Sequence, residues 1–526
     1  MRRSSGGGAR LEALRRELAR GEDPTVARPG ALVSHPAHPS SKSFFIETRG
    51  CQMNVSDSEV VRRLLGDAAF VEAPAAAAAD VVLLNTCAIR EGSEQKVWNR
   101  LRTLRRRQTS SDQKIAVLGC MAERVKADLH EGGLADVVVG PDSYRNLPEL
   151  LAAAGGGAPQ IDTQLSRTED YGDVAPARAD PAKRHGAFVS VQRGCDNNCA
   201  YCIVPYVRGR ERSRSTATVL AEVAALYGAG VREMTLLGQN VNSYHDRGAR
   251  VGGGARSYTE GFAPLIKSDR RDALEGGARF ADLLVRVAAA APDARIRFTS
   301  PHPKDFPESL LDAVAETPNV AKQLHLPCQS GSDAVLDAMR RGYTNAAYRD
   351  LVGRARAKIP NVALSSDFIA GFCGETDADH EATLALLRDV RYDMAFLYAY
   401  SERDRTRAHR RLADDVDPEA KARRLGELIA TFREHRVDKA AEALGVTSLV
   451  LVEGPPKRAP EGQVGPFSSG RDDANRRLIF PGAFEGSALE PGDFVHVVPD
   501  RSSPGGGTLF GAVVARAAGA GDRPVP

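Results

Sequence analysis

Between Phe44 and Val139 short apolar runs alternate with stretches whose apolar positions fit one face of a helix. Phe44 to Thr48, Val81 to Thr86, Ile115 to Leu118 and Val137 to Val139 read as strands. Asp57 to Gly66, about Arg90 to Arg107, and the stretch from Met121 read as helices. Strands alternating with helices imply a parallel sheet. Residues 152–183, rich in Ala, Gly, Pro and Asp, read as a linker. The alternation then resumes, with candidate strands at Phe188–Arg193, Glu233–Leu237, Arg295–Thr299, Gln323–Leu326, Ala363–Ile369 and Met394–Tyr400. Helical stretches such as Thr216–Tyr227, Asp333–Arg340 and Ala378–Val390 separate them. Six such units are too few for a closed eight-stranded barrel, so the pattern predicts an open, partial (β/α)6 barrel. A Gly- and Arg-rich insertion over 246–277 has no period and reads as a surface loop. A helix from about Pro418 to Leu444 leads to short β runs broken by Gly and Pro: Leu449–Glu453, Arg477–Phe480, Phe494–Val498 and Thr508–Ala515. These predict a small all-β barrel.

The expected organisation is a leader over 1–41, an α/β domain over 42–155, the partial barrel over 181–415 and the β-barrel over 442–517. The 526 residues suffice for several domains. No apolar run reaches the ~18–20 residues that span a bilayer, so no membrane-spanning helix is expected. The formal charge, 71 − 68 = +3, does not by itself point to nucleic acid. The leader is rich in Arg, Ala and Ser, as organelle transit segments are, but it also carries Glu12, Glu17, Glu22 and Asp23, which such segments avoid. A disordered leader fits it equally well.

Eight cysteines in so long a chain do not make a disulfide scaffold. Cys51 lies just past the first strand, and Cys87 and Cys120 end the second and third. Ligands bind outside the carboxyl ends of strands in open parallel sheets, so these three should converge on one edge. The sharpest local signal is Cys195-Asp-Asn-Asn-Cys199-Ala-Tyr-Cys202. Three thiolates on one loop can hold three irons of a cubane cluster and leave the fourth open to a substrate or cofactor. A structural zinc site would need a fourth ligand, and no His or Cys lies nearby. Polar residues stand at barrel strand ends, where barrel enzymes keep their chemistry: Gly238-Gln239-Asn240, Thr299-Ser300 and Gln329-Ser330. Cys328 and Cys373 have no ligand-spaced partners and are expected not to be ligands.

The cluster motif, with Tyr201 before its last cysteine, resembles the radical S-adenosylmethionine superfamily. More narrowly, the chain is similar to the MiaB-type tRNA methylthiotransferases. Gly50-Cys51-Gln52-Met53-Asn54 with Asp57-Ser58-Glu59 matches that branch, as do Asn85-Thr86-Cys87-Ala88-Ile89-Arg90-Glu91 and Gly119-Cys120-Met121-Ala122-Glu123-Arg124. Gly194 to Arg214 and Leu237 to Tyr244 match too. Gln52-Met53-Asn54 sides with the isopentenyladenosine branch, against sister branches acting on threonylcarbamoyl-adenosine or on a ribosomal-protein aspartate. The stretch Tyr400 to Ala408 lacks the Pro-Gly-Thr turn usual in bacterial members. With Phe372 to Thr376 and the insertion, this resembles the eukaryotic organellar branch, named for association with a regulatory subunit of cyclin-dependent kinase five. The C-terminal module resembles the RNA-binding TRAM domain through Leu449 to Gly454 and Gly470 to Asp473.

The resemblance implies two [4Fe-4S] clusters, one on Cys195, Cys199 and Cys202 and one on Cys51, Cys87 and Cys120. It implies S-adenosylmethionine both as radical source and as methyl donor, with Tyr201, Gly238, Gln239, Asn240, Ser300 and Gln329 as candidate cofactor contacts. The expected substrate is tRNA carrying N6-isopentenyladenosine at position 37, modified at carbon 2 of the base. Other expected partners are a reducing electron donor and a sulfur donor, with a kinase regulatory subunit as the non-catalytic alternative. The expected state is a monomer in the mitochondrion, with plastid or cytoplasm as alternatives. Arg208, Arg210, Arg212 and Arg214, Arg471, Arg476 and Arg477, and the strip Arg102, Arg105, Arg106 and Arg107 are candidate RNA contacts.

Overall fold

The computed structural model describes residues 42–88, 91–108, 112–154, 160–180, 185–249, 261–262, 276–458 and 465–523. The leader expected over 1–41 and most of the 246–277 insertion lie outside these residues.

Six parallel strands form the first sheet: β1 (Ser43–Thr48), β2 (Val71–Glu72), β3 (Val81–Thr86), β4 (Lys114–Gly119), β5 (Val137–Val139) and β6 (Gln160–Asp162), in the order β2-β1-β3-β4-β5-β6. Helices α1 (Gln52–Asp67), α2 (Glu91–Arg106), α3 (Cys120–Glu131) and α4 (Leu147–Ala153) follow β1, β3, β4 and β5. The period-2 alternation explains why β3 is apolar throughout. Val81 and Leu83 join one core with Phe44, Ile46, Ala116 and Leu118, while Val82 and Leu84 join another with Val97, Leu101, Ile115 and Val117. Part of the stretch read as a linker belongs to this domain. It supplies β6, and Tyr171 and Val174 pack into the first core. Its Ala/Gly/Pro composition hid a three-residue strand too short for any periodicity to register.

The central domain carries six parallel strands in two sets. β7 (Ala187–Ser190) leads to the short antiparallel pair β8 (Gln192–Arg193) and β9 (Arg212–Ser213), which closes the base of the cysteine loop. β10 (Glu233–Leu237) pairs with β7 on one side. β11 (His245–Asp246) and β12 (Ala278–Arg279) pin the ends of the insertion together. β13 (Arg295–Phe298) pairs with the other side of β10. β14 (Gln323–His325), β15 (Ala363–Ala370) and β16 (Met394–Ala399) form the second set. A parallel bridge between Ile296 and Val320 joins the two, so the order β7-β10-β13-β14-β15-β16 makes the expected open partial barrel. Its largest core lies between the strands and the outer helices, including α5 (Thr216–Gly228), α6 (Phe280–Ala290) and α7 (Asp377–Val390).

A long helix, α8 (Pro418–Glu442), leads to the C-terminal barrel. β17 (Ser448–Gly454), β18 (Phe467–Arg471), β19 (Arg477–Pro481), β22 (Phe494–Ser502) and β23 (Leu509–Ala517) close in the order β17-β18-β19-β23-β22, with the small hairpin β20 (Ala483–Phe484) and β21 (Ser487–Ala488) inserted. β18 escaped the sequence reading because Ser468, Ser469 and Gly470 dilute its apolar signal.

Two arginines on β13 fasten this barrel to the central domain. Arg295 is fully buried and donates to the carbonyls of Arg471 and Leu449, each at 2.9 Å. Arg297 donates to the carbonyls of Asp472 at 2.6 Å and Asp473 at 2.9 Å. Burial alone would push the Glu233 carboxyl up, but Arg297 and Arg295 offset it and hold it below the usual range. Arg295→Met leaves these acceptors buried and unpaired, so it is expected to cost about 3–5 kcal/mol. Protease cleavage in the 443–447 connection, followed with urea denaturation, would register the loosened barrel. A loss under about 1 kcal/mol would contradict the docking role.

Candidate iron–sulfur and cofactor site

Cys51, Cys87 and Cys120 stand at the carboxyl edge of the first sheet, after β1, β3 and β4. The sequence builds this edge with paired asparagines and close-packed glycines. Asn54 Nδ2 donates to Asn85 Oδ1 at 3.1 Å and to the Thr86 carbonyl at 2.9 Å, and Asn85 Nδ2 returns a bond to the Asn54 carbonyl at 2.9 Å. That ties the Cys51 turn to the Cys87 turn. Gly50 has φ +130°, and a Cβ there would lie 2.6 Å from the Cβ of Cys87. Gly119 has φ +90°, and its Cβ would meet Asn85 Oδ1 at 2.5 Å. Each Gly-Cys pair thus lets one cysteine turn approach its neighbour.

Cys51 caps the N-terminus of α1 and Cys120 opens α3, where helix dipoles favour thiolates. The Cys87 thiol beside Cys51, aided by Arg208 and backbone N–H groups, lowers the Cys51 thiol to about 6 despite burial. Burial pushes the Cys120 thiol up, with Arg208 opposing it. Arg208 Nε donates to Cys120 Sγ at 3.1 Å.

The second group lies on the loop after β8. Its backbone is fixed at three points: Cys195 N–H donates to the Gly209 carbonyl at 3.2 Å, Ala200 N–H to Met339 at 2.9 Å, and Ala408 N–H to the Ala200 carbonyl at 2.8 Å. Burial, Glu211 and the neighbouring cysteines push the Cys195 thiol well up. Burial and Cys199 push Cys202 up to about 12. Cys328 stays apart, its thiol donating to the Ser330 carbonyl at 2.9 Å, and burial pushes it up to about 12. Cys373 sits against Tyr400, in one apolar cluster with Phe372.

The sequence reading missed Arg341, which reaches the loop from between the helices Asp333–Ala338 and Asn345–Lys358. Its Nη1 lies 3.3 Å from Cys199 Sγ and 3.3 Å from the Tyr201 hydroxyl; Nε donates to the Tyr343 hydroxyl at 3.0 Å and Nη2 to the Pro327 carbonyl at 2.6 Å. Arg341 is 2% exposed and, among the described residues, forms no ion pair with a carboxylate. A buried guanidinium needs nearby negative charge, and cluster thiolates would provide it.

The N-terminal group shows a similar excess. Asp57 bonds Arg193 and Arg208, each at 2.7 Å, and Asp142 bonds Arg212 at 2.9 Å. Three buried guanidiniums against two carboxylates leave one positive charge beside Cys120. Among the described residues, no three His, Cys, Asp or Glu donors gather round a point where a single metal ion could sit. A cube takes one thiolate per iron, so its ligands need not gather round one point. The donor chemistry and the surplus positive charge both fit anionic iron–sulfur clusters.

The candidate cofactor contacts cluster at the mouth of the barrel. Gln192 Oε1 accepts from the Gln239 and Asn240 N–H groups at 3.0 and 3.3 Å. Gly238 is required there, since a Cβ would lie 2.5 Å from the same oxygen. Asn240 Nδ2 donates to Asp305 Oδ2 at 2.9 Å. Gln239 Oε1 and Asn240 Oδ1 are buried without a hydrogen-bond partner, which makes them acceptors open to a ligand. Ser300 is exposed at φ +59°, and its carbonyl accepts from Val241 N–H at 3.3 Å. Gln329, at φ +80°, is tied through its backbone to Asp367 and Ile369 of β15. Tyr201 stands edge-on to Phe372. His302, also missed, places Nε2 3.9 Å from Cys199 Sγ.

Residues 43–140 match a family model described as uncharacterized protein family UPF0004, and 189–387 match the radical SAM superfamily. These spans hold the two cysteine groups separately. The chain is 48% identical over 457 residues to a CDK5RAP1-like protein of Caenorhabditis elegans, covering 86% of this chain and 81% of that one. It is 46% identical over 480 residues to the human mitochondrial tRNA methylthiotransferase CDK5RAP1, covering 87% and 78%. It is 44% identical over 491 residues to the tRNA-2-methylthio-N(6)-dimethylallyladenosine synthase of Porphyromonas gingivalis strain W83, covering 92% and 98%. The chain belongs to the radical SAM tRNA methylthiotransferases.

Membership sharpens the contrast with the arginines expected to touch RNA. Arg208, Arg212 and Arg214 are buried, and they bond Asp57, Asp142 and Glu222. They are struts of the folded chain, the first two across the domain junction, and they do not contact RNA. Only Arg210 of that run faces outward, beside Asp196 at 3.2 Å. Arg105 pairs with Asp136 at 2.9 Å, while Arg102, Arg106 and Arg107 face solvent. Arg471 and Arg476 remain partly exposed beside Glu453 and Asp472, and Arg477 is half-buried.

Proposed function

We propose that this enzyme converts N6-isopentenyladenosine at position 37 of tRNA to its 2-methylthio derivative, using two [4Fe-4S] clusters and S-adenosylmethionine. The carrying observation is the pair of three-cysteine edges facing one another across a single short segment. Ile203 and Val207, between Cys202 and Arg208, pack on Ala88 and Cys120. In this reading residues 181–415 carry out the radical step, 42–155 hold the second cluster, and 442–517 engage tRNA.

Cys195, Cys199 and Cys202 would hold one cluster, and Cys51, Cys87 and Cys120 the other. When bound, the clusters supply reductive cleavage of S-adenosylmethionine and a place where sulfur is carried. The chain itself orients these groups. Arg341 holds Cys199 and Tyr201 in register, and Arg208 does the same for Cys120. Gln239 and Asn240 offer acceptors at the barrel mouth. The inferred setting is the mitochondrion, with outside donors of electrons and sulfur.

Anaerobic reconstitution followed by assay on isopentenylated tRNA tests the reading. Mass spectrometry of the nucleosides should show the 2-methylthio product. Product only on threonylcarbamoyl-adenosine tRNA, or none with full clusters, would overturn it. Arg341→Met removes positive charge from beside Cys199, so the reduction potential of that cluster is expected to fall. An EPR-monitored redox titration reads the shift; an unchanged or higher potential would contradict the role given to Arg341.

A further inference from the structure

Three of the four arginines just after the cluster loop, Arg208, Arg212 and Arg214, are internal, which leaves open what meets the RNA near the chemistry. A cleft of about 220 Å³ opens beside the cluster loop. Cys199 and Cys202 line it together with Tyr206, Arg340, Arg407, Arg410 and Arg411. Resting on the function proposed above, we propose that the short helix Arg407–Arg411, together with Tyr206, is the cradle for the phosphate backbone of the tRNA anticodon loop.

Among the described residues no carboxylate pairs with Arg340, Arg407, Arg410 or Arg411, and the last three are exposed. The nearby acids are already engaged, Glu402 with His409 at 3.1 Å and Asp404 with Arg124 at 3.1 Å. Several exposed arginines of the central domain and α8 are matched: Arg388 with Glu381, Arg391 with Glu442, and Arg423 with Asp377. A group of unpaired guanidiniums round one cleft is an anion site in search of several negative charges.

The aromatic partner narrows the anion. Arg410 lies 5.5 Å over the Tyr206 ring, which gives the cleft a flat apolar face beside its cations. Single-stranded RNA is held by that combination of backbone charge and stacking surface. Position completes the case. Ala408, the second residue of the helix, is buried and bonded to Ala200 of the cluster loop at 2.8 Å. RNA seated on this helix is therefore held in fixed register with Cys199 and Cys202, as an extruded base requires.

The test uses the full chain, reconstituted anaerobically, and an isopentenylated anticodon stem-loop RNA as probe. Fluorescence anisotropy across a salt series gives affinity and its salt slope. Replacing Arg407, Arg410 and Arg411 together by Gln should weaken binding by about tenfold or more and reduce the slope by about two, at ~0.7 per phosphate contact. The triple Lys variant should keep most of the slope. Should the triple Gln variant lose iron, Arg411→Gln alone should still reduce the slope by about 0.7. Arg423→Gln, on α8, serves as the paired-arginine control. Unchanged affinity and slope in the Gln variants would overturn the proposal while leaving the methylthiotransferase reading standing. So would normal RNA binding with lost reduction by an acidic electron-donor protein. A wild-type chain with full clusters that neither binds nor modifies the RNA would sink that reading, and this inference with it.

Discussion

Cys87→Ala should abolish methylthiolation while S-adenosylmethionine is still cleaved reductively. Cys87 is buried at the end of β3, where the Asn54–Asn85 pair and Gly50 press its turn against the Cys51 turn. Its side chain is small, so alanine removes a sulfur with little lost packing. What disappears is one of three thiolates and the partner that lowers the Cys51 thiol. Cys195, Cys199 and Cys202 sit on a separate loop held by Gly209, Met339 and Ala408 and should load as before. Product is expected to fall below detection, and 5′-deoxyadenosine should still form. Cys87→Ser preserves the size of the side chain and should fail in the same way. Product from either variant would show that this edge does not carry sulfur.

Asp57→Asn is expected to be the most damaging single change to the fold near the site. Asp57 is fully buried and accepts from Arg193 and Arg208, with Tyr144 Oη at 3.4 Å behind it. Burial would raise its carboxyl, but the two guanidiniums more than offset this and hold it below the usual range. Removing the charge strands two buried cations, at a cost of about 3–5 kcal/mol. The sign of the pH dependence follows. A depressed folded-state value contributes stability above the ordinary carboxylate range and loses it as pH falls through the folded value. The wild type should therefore weaken more steeply in acid than the variant. Denaturant midpoints from neutral to acid pH measure both effects; a loss under about 1 kcal/mol at neutral pH would contradict them.

The architecture was legible because short apolar-rich segments with polar residues at their ends alternate with helical stretches. Glu233–Leu237 and Val137–Val139 match the structure to the residue. The convergence of Cys51, Cys87 and Cys120 followed from strand-end placement alone. Contacts between remote segments were not legible. Arg208 lies 151 residues from Asp57 along the chain, and a local run of alternate arginines carries no mark of such a partner. Charge alone does not reveal burial, so the run by itself points to RNA. Arg341 was hidden likewise, since Arg340-Arg341-Gly342-Tyr343 gives no reason to send one arginine inward and the other to the cleft. The Gly470–Asp473 turn, read only as part of an RNA-binding module, also receives Arg295 and Arg297 and so docks the barrel.

Both edges of three cysteines must bind iron for the proposed chemistry to operate in one chain. The decisive measurement is the iron and acid-labile sulfide content of the anaerobically reconstituted full chain, with EPR of the reduced protein. Two cubes predict about eight irons and about eight sulfides per chain, falling by about half when Cys51, Cys87 and Cys120 are replaced together. About four irons in the wild type, all lost with Cys195, Cys199 and Cys202, would contradict the account.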